Sequence, residues 1–426
     1  MISSVINVVI SAIKTKTVKQ SGITFAGTII NGLLGMIFFI VVARYLGPED
    51  YGKFSVAITA ITLLSSISDI GTNTGIVRFA AGSLESDKSR AYKFLKLGLK
   101  IKLIAGLAVV VIGWLILPFV VSSLLHKPEL LSILRLALLG VGGMLLFSFS
   151  TYSLQALQKY KTWATLNIIN NALRLIVVFA VFSVGFITAE SPLLVYLIFP
   201  FVGFAAGFMF LPKFWKVKNE NEILPEFFKY NKWVATFTII AAFSSRLDTF
   251  LLTRLLSFGE VGIYQVAKTL ADVVPQIVFA LGIVVAPKLS GFNGDNKKAV
   301  KYLRKLQLFV IGLAFGGILF GLPFGYLIIP RLYGVEYFAS IMPFAMLLVA
   351  QALFLISVPV HTAVIYYFSY PKLFVYISLI HMAIIAIGGW TLIPLYGYIG
   401  ATLVVFMGSL SNFVIPAIWV VRKFKQ

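Results

Sequence analysis

Cysteine is absent from the 426 residues, and histidine occurs only as His126, His361 and His381. The first absence excludes disulfides, thiolate catalysis and cysteine-based metal sites. Three imidazoles in separate segments are too few for a metal cluster, so neither a metal nor a cofactor is expected. Charge is scarce as well. Charged residues make up 12% of the chain, about half of the roughly 25% common in soluble domains. No G-x-x-x-x-G-K-[ST] loop is present, which argues against ATP hydrolysis within the chain. Too few polar side chains remain to cover a water-facing surface, and a soluble enzyme is excluded.

What fills the chain instead is apolar. Hydrophobic residues account for 59%, in continuous runs rather than in alternation. Only helices and closed barrels satisfy their own backbone groups in hydrocarbon, and continuous runs select helices. Allowing roughly 35 residues for each span of about 20 and its loop gives about twelve transmembrane helices. The expectation is an all-α integral membrane protein, with spans at 52–81 and 232–256 among them.

A formal charge of +21 would suggest nucleic acid in a soluble protein. Here Lys and Arg sit mostly in short connections between apolar runs, as the positive-inside rule requires, so no nucleic-acid partner is expected. Lys93, Lys96, Lys213, Lys216, Lys297 and Lys301 place their connections in the cytoplasm. Both termini follow, in a multi-pass protein of the cell membrane. In residues 1–19 the basic Lys14, Lys16 and Lys19 come after the apolar stretch. That order reads as an amphipathic helix on the cytoplasmic face, not a signal peptide.

The connection at 213–231 divides the spans six and six. It gives an N-terminal lobe over 20–212, a connector on the membrane surface and a C-terminal lobe over 232–426. An internal repeat supports the division. ARYLGPEDYGKFSVA (43–57) aligns without gaps on TRLLSFGEVGIYQVA (253–267), matching Arg44 with Arg254, Leu46 with Leu256, Gly52 with Gly262 and Ala57 with Ala267. QKYKTW (158–163) falls opposite FSYPKL (368–373) at the same offset. Two sets of six spans in one orientation form a parallel repeat, which transporters use with the substrate site between the halves.

The same segments carry a family resemblance. ARYLGPEDYGKFSVA, DIGTNTGIVRFAA (69–81), QALQKYK (155–161), SSRLDTFLLTRLLSFGEVGIYQVAKTLA (244–271), RLYGVEYFAS (331–340) and IPLYGYIGATL (393–403) follow one another in family order and spacing. They resemble the polysaccharide-transporter branch of the multidrug/oligosaccharidyl-lipid/polysaccharide (MOP) exporter superfamily, with O-antigen-type flippases the nearest comparison. The resemblance implies two six-helix lobes around a central cavity, as in the MATE-like members, and alternating access by a monomer. It also implies a cargo: a lipid-linked oligosaccharide on polyprenyl phosphate or pyrophosphate, flipped from the cytoplasmic to the outer leaflet for surface polysaccharide or glycan assembly. Membrane lipids and other glycan-assembly proteins are the implied partners.

Bare phosphate in hydrocarbon is prohibitive, so such cargo requires cations in a hydrated cavity. Ionisable residues inside apolar runs are Arg78, Arg174, Arg246 and Lys268, with Asp69, Asp248 and Asp272. Arg174 and Arg246 fall about eleven and fourteen residues into their spans, near mid-depth at a rise of about 1.5 Å per residue. Arginine suits the task because its planar fork grips phosphate oxygens in pairs and keeps its charge when buried.

Each candidate has a competing structural role. A cation can pair with a carboxylate on a neighbouring helix; for Lys268 the nearest in sequence is Asp272, one turn on. Arg78 lies toward the cytoplasmic end and suits interfacial anchorage. Asp69, Asp248 and Asp272 are candidates for coupling to protons or another cation, or for helix pairing. Arg246 and Asp248, two apart, point different ways and are poor partners for each other. Asn167, Asn170 and Arg174 lie at i, i+3 and i+7 on one helix face, a candidate cavity wall. Asn31, Asn171 and Gln155 are further polar residues suited to sugar hydroxyls or to helix pairing.

Two other function classes compete. A small-molecule or multidrug exporter of the same superfamily would need an acidic, aromatic-lined cavity for lipophilic cations, against which the mid-depth cations argue. A membrane glycan polymerase or ligase would need catalytic carboxylates on water-exposed loops. The outer loops offer little beyond Glu49, Asp50, Glu129, Glu190, Glu260 and Glu336, of which Glu49, Asp50 and Glu260 suit helix capping. A transporter and not an enzyme is expected.

Overall fold

The computed structural model describes residues 16–292, 295–370 and 372–425. The segment expected to form an amphipathic surface helix therefore lies outside the described residues as far as residue 15. Every regular element among the described residues is helical, as a medium without water to satisfy backbone groups demands. The principal helices are α1 (Lys16–Ser68), α2 (Lys88–Phe119), α3 (Leu131–Ala156), α4 (Tyr160–Ser183), α5 (Glu190–Met209) and α6 (Leu224–Ser244). They continue as α7 (Leu247–Leu255), α8 (Phe258–Ala271), α9 (Val273–Ser290), α10 (Asn296–Leu332), α11 (Ile341–Ile356) and α12 (Lys372–Lys425).

Nine segments among the described residues are long and apolar enough to cross a membrane, which makes this a multi-pass helical protein. Two of them run for 47 and 54 residues, more than twice the roughly 20 that one span needs. Each is broken at a glycine of positive φ: Gly47 in α1 (φ 70°) and Gly397 in α12 (φ 59°). An L side chain is strained in that conformation, and glycine is not. Pro48 follows Gly47 at a position where a helix restarts without needing the missing N–H.

Two further breaks fall beside charged residues, inside the spans placed at 52–81 and 232–256. After α1, Ile70 and Gly71 have positive φ, and the Asp69 carboxylate accepts the Asn73 N–H at 3.3 Å. A short helix (Thr72–Gly75) then leads into a widened turn (Ile76–Ala80) that contains Arg78. Between α6 and α7, Arg246 takes φ −126°. Neither break needs proline. A short polar side chain that captures a nearby backbone N–H offers the chain an alternative to the helix.

The chain divides into two compact units. The first consists of residues up to Tyr45 with 60–122 and 128–239. In its core, Phe94 of α2, Phe149 of α3, Phe214 and Phe227 are each at most 1% exposed, packed with Ile76 and Leu154. Phe214, Ile223 and Phe227 come from the 213–231 connector, so apolar burial holds this polar segment in place. A buried phenylalanine is worth about 1.5–3 kcal/mol. Ion pairs fasten it further: Lys93–Glu222 at 2.6 Å, Lys96–Glu220 at 3.0 Å, and Arg90 with Glu226.

The second unit consists of 46–59, 123–127 and 240–426. Small side chains build one of its cores, Ala314, Ala352 and Val358 with Leu355. α8 begins with a capping box, in which Ser257 accepts the Glu260 N–H and Glu260 accepts the Ser257 N–H. Glu49 and Asp50 instead hold Lys53, at 3.9 and 3.0 Å. The two copies of the repeated motif meet within this unit. A Cβ on Gly52 would strike the carbonyl oxygen of Phe258, and a Cβ on Gly262 would strike that of Pro48. The backbones come this close only because neither glycine has a side chain.

Candidate functional site

In the first unit Arg174, on α4, is 8% exposed. Its guanidinium lies 4.6 Å from the ring centre of Phe38 on α1 and 4.6 Å from that of Tyr196 on α5. Among the described residues no carboxylate pairs with it, and its Nε has no hydrogen-bond partner. Two aromatic faces offer a desolvated cation about 2 kcal/mol or more, and the Tyr196 side chain also hydrogen-bonds to it, which leaves Nε–H as the buried donor without a protein partner. Asn170, one turn before Arg174, is buried beside Gly203 of α5, whose missing side chain makes room for its amide oxygen. Asn167, half-buried, donates to the Trp163 carbonyl at 2.8 Å. Asn171 and Asn31 hydrogen-bond to each other, joining α4 to α1. Gln155 is partly exposed near the end of α3.

The carboxylate at the first helix break has a cation of its own. Lys102 of α2 is 1% exposed and donates to Asp69 at 2.7 Å and to the Ser148 hydroxyl at 2.7 Å. Asp69 thus ties the end of α1 to α2, and through Lys102 to α3. Arg78 is exposed, with its guanidinium 4.3 Å from the ring centre of Tyr230, an arrangement suited to a helix end at an interface.

In the second unit Asp248 sits in the first turn of α7 and is 5% exposed. It accepts from Lys268 at 2.6 Å, from the Tyr264 hydroxyl at 2.5 Å and from the Thr249 N–H at 2.8 Å. The sequence pairing of Lys268 with Asp272 is therefore corrected. Lys268 reaches from α8 to Asp248 on α7, and also donates to the Ser245 carbonyl at 3.2 Å. The break before α7 turns Asp248 toward α8, which spacing along an unbroken helix does not reveal. Asp272 accepts from Gln351 of α11 at 3.3 Å. Arg246, in the break itself, donates to the Ala242 carbonyl at 3.3 Å and to the Ser245 hydroxyl at 3.0 Å. His381 of α12 meets Ser244 at 2.6 Å.

These are cations and carboxylates of a chain whose described helices include nine segments long and apolar enough to cross a membrane. The polysaccharide biosynthesis protein family matches residues 17–292. The chain belongs to that family. No curated protein matches it by sequence, while solved structures do. The lipid II flippase MurJ, in an inward closed conformation, matches with a TM-score of 0.74 at 16% identity, over 94% of this chain and 88% of that one. An inward-facing multidrug resistance MATE family transporter of the MOP superfamily gives 0.71 at 14%, over 93% and 94%. A MOP superfamily transporter from Pyrococcus furiosus, described as having a binding pocket of reverse polarity, gives 0.59 at 14%, over 96% and 95%. At these identities what is shared is the fold, that of the MOP transporters.

In this member of the polysaccharide biosynthesis family, Lys102, Ser148 and Tyr264 are not singled out by the sequence as site residues, and His381 stands there only as one of three scattered imidazoles. Lys102 hides among the basic residues of KLGLKIK (96–102), which the positive-inside rule already explains. Its signal is helical phase. Ala91, Leu95, Gly98, Lys102 and Gly106 recur on the buried face of α2, so a lysine in that series has to find a buried partner. Tyr264 carried no comparable signal, since an aromatic at helical spacing ordinarily packs.

Proposed function

We propose that the protein flips a lipid-linked oligosaccharide, carried on polyprenyl phosphate or pyrophosphate, from the cytoplasmic to the outer leaflet by alternating access. The observation that carries this reading is Arg174, a buried guanidinium clamped by Phe38 and Tyr196 with no carboxylate beside it among the described residues. Burying a charge near mid-membrane costs about 2.5–3.5 kcal/mol on the insertion scale, so an unneutralised one marks a site for a ligand anion. A phosphate oxygen takes up the unpartnered Nε–H in a charge-assisted bond, and the aromatic faces hold the guanidinium in place between cargoes. Asn170 and Asn167, on the same side of α4, suit hydrogen bonds to sugar hydroxyls.

The remaining assignments belong to the same reading. Twelve spans follow when α1 and α12 are each divided at their glycine break and α8 with α9 counts as one more. Basic connections support a cytoplasmic position for both termini of a cell-membrane protein. It works as a monomer, without a cofactor, alongside other glycan-assembly proteins.

The test is translocation of a polyprenyl-pyrophosphate oligosaccharide in proteoliposomes. Wild type should flip it, and Arg174→Ala should lose about 10- to 150-fold in rate, as loss of a charge-assisted bond of about 1.5–3 kcal/mol implies. Undiminished flipping by a folded Arg174→Ala variant would remove the phosphate from that residue. Export of organic cations with no flipping by wild type would replace the reading with a small-molecule exporter.

A further inference from the structure

α10 carries two features outside the buried cations. At its N-terminal end Lys297, Lys301, Arg304 and Lys305, with Phe424 of α12, line a cavity of about 540 Å³. Cations at i, i+4, i+7 and i+8 share one helix face. The neighbouring Lys298 is taken up by Asp295 at 3.0 Å; among the described residues none of the four cavity cations has an ion-pair partner. In the first unit, by contrast, Arg90, Lys93 and Lys96 each have a glutamate. Four exposed cations thus line one hollow with their charge uncompensated by a carboxylate among the described residues.

Farther along the same helix, Gly312, Gly316 and Gly317, with Val274 and Ile277 of α9 and Leu348 of α11, line an apolar cavity of about 390 Å³. The hollow exists because side chains are missing. A Cβ at any of the three glycines would meet open space. Lys301, Lys305, Gly312 and Gly316 are spaced i, i+4, i+11 and i+15, which at 3.6 residues per turn keeps them within roughly 60° of arc. Lys305 and Gly312 are about 10 Å apart along the axis. The headgroup layer of one leaflet is about 5–8 Å deep, the difference between total and hydrocarbon thickness halved. Cations and groove are thus spaced as the head and tail of one lipid.

We propose that α10 holds an anionic phospholipid of the cytoplasmic leaflet. Its phosphate lies among Lys297, Lys301, Arg304 and Lys305, and one acyl chain runs past Gly312 and Gly316. Basic pockets on the cytoplasmic side attract anionic headgroups, and the surrounding membrane supplies the lipid. The inference uses the proposed orientation and is independent of what the protein transports.

The experiment is native mass spectrometry of the intact protein released from nanodiscs containing equal phosphatidylglycerol and phosphatidylcholine. Wild type should retain phosphatidylglycerol at least tenfold over phosphatidylcholine. Lys301→Gln/Arg304→Gln/Lys305→Gln should abolish that preference, and Lys301→Arg/Lys305→Arg should keep it. Gly312→Leu/Gly316→Leu, with all charges present and an unchanged melting temperature, should lose most of the bound lipid. Equal retention of both phospholipids, or a glutamine variant like wild type, would overturn the site. Unchanged retention by the leucine variant would overturn the tail groove. Displacement of phosphatidylglycerol by equimolar polyprenyl phosphate would assign the site to a transport cargo instead. Because the readout is retention and not flipping, each of these results leaves the flippase reading untouched.

Discussion

Gly52 and Gly262 occupy equivalent places in the internal repeat, and each lies against the carbonyl of the residue that begins the other's helix. Gly52 abuts Phe258 and Gly262 abuts Pro48, so one 210-residue offset relates both halves of the contact. Such reciprocity is the mark of a local two-fold relation. An added methyl would meet backbone, which cannot rotate away as a side chain does.

Alanine at either glycine should therefore force the two helix starts apart. Overpacking of this kind costs about 1–3 kcal/mol. Gly52→Ala and Gly262→Ala should each lower the melting temperature of the purified protein. Because both changes act on one contact, the double variant should lose less than the two singles added together. Full additivity would show that the two contacts are independent.

Asp69 and Lys102 make a second prediction, because a buried ion pair stabilises little as a pair and costs much when halved. Lys102→Met alone should destabilise by about 3–5 kcal/mol, at the lower end because Asp69 keeps some exposure. Adding Asp69→Asn, which leaves an acceptor for the Asn73 N–H, should restore much of that loss. Translocation separates the two roles of the pair. A double variant that melts like wild type and still flips cargo has lost only a helix tie; one that folds but does not flip has lost a coupling group.

How much of this was legible beforehand follows from which signals are local. The helical membrane fold rests on composition and continuous apolar runs, and Arg174 with Asn170 rests on helical phase, so both are readable. The breaks at Asp69–Gly71 and Ser245–Arg246 are not, because polar side chains and not prolines make them. Lys268 with Asp248 was hidden for that reason: the pair spans two helices whose relation depends on the break. Lys102 was masked by an explanation that was adequate for its neighbours. The connector's aromatic residues were visible, but the helices they pack against come from distant sequence.

The connector ion pairs respond to pH in a direction that can be worked out. Hydrogen bonds from Lys96 to Glu220 and from Lys93 to Glu222 hold both carboxyls below the usual glutamate range. A carboxyl depressed in the folded state contributes stability above its unfolded value of 4.5; that contribution is lost as pH falls through the lower folded value. Hydrogen exchange across 213–227, corrected for intrinsic rates, should be flat from pH 7 to about 5 and should rise at lower pH. The effect is small and weakened by salt, since Glu222 faces solvent and Glu220 is only partly covered. Glu220→Gln/Glu222→Gln should remove the step and leave the aromatic anchors holding. A step that survives this double change would place its origin elsewhere.

Lys268 stands between the two roles the sequence left open for it, and its contacts favour the structural one. Asp248 already accepts from Lys268, Tyr264 and the Thr249 N–H, so the ammonium compensates a carboxylate that is almost wholly buried. Lys268→Met should leave that carboxylate uncompensated and destabilise by about 3–5 kcal/mol. Lys268→Met/Asp248→Asn should recover most of it, with the Tyr264 hydroxyl still bound to the amide oxygen. If Lys268 only neutralises Asp248, the recovered double variant flips cargo at the wild-type rate. If the headgroup also needs its charge, the double variant melts normally yet flips slowly, with the deficit falling as cargo concentration rises. A saturable deficit is the signature of lost binding and a fixed one of lost motion, so the concentration series decides between a cargo contact and a hinge.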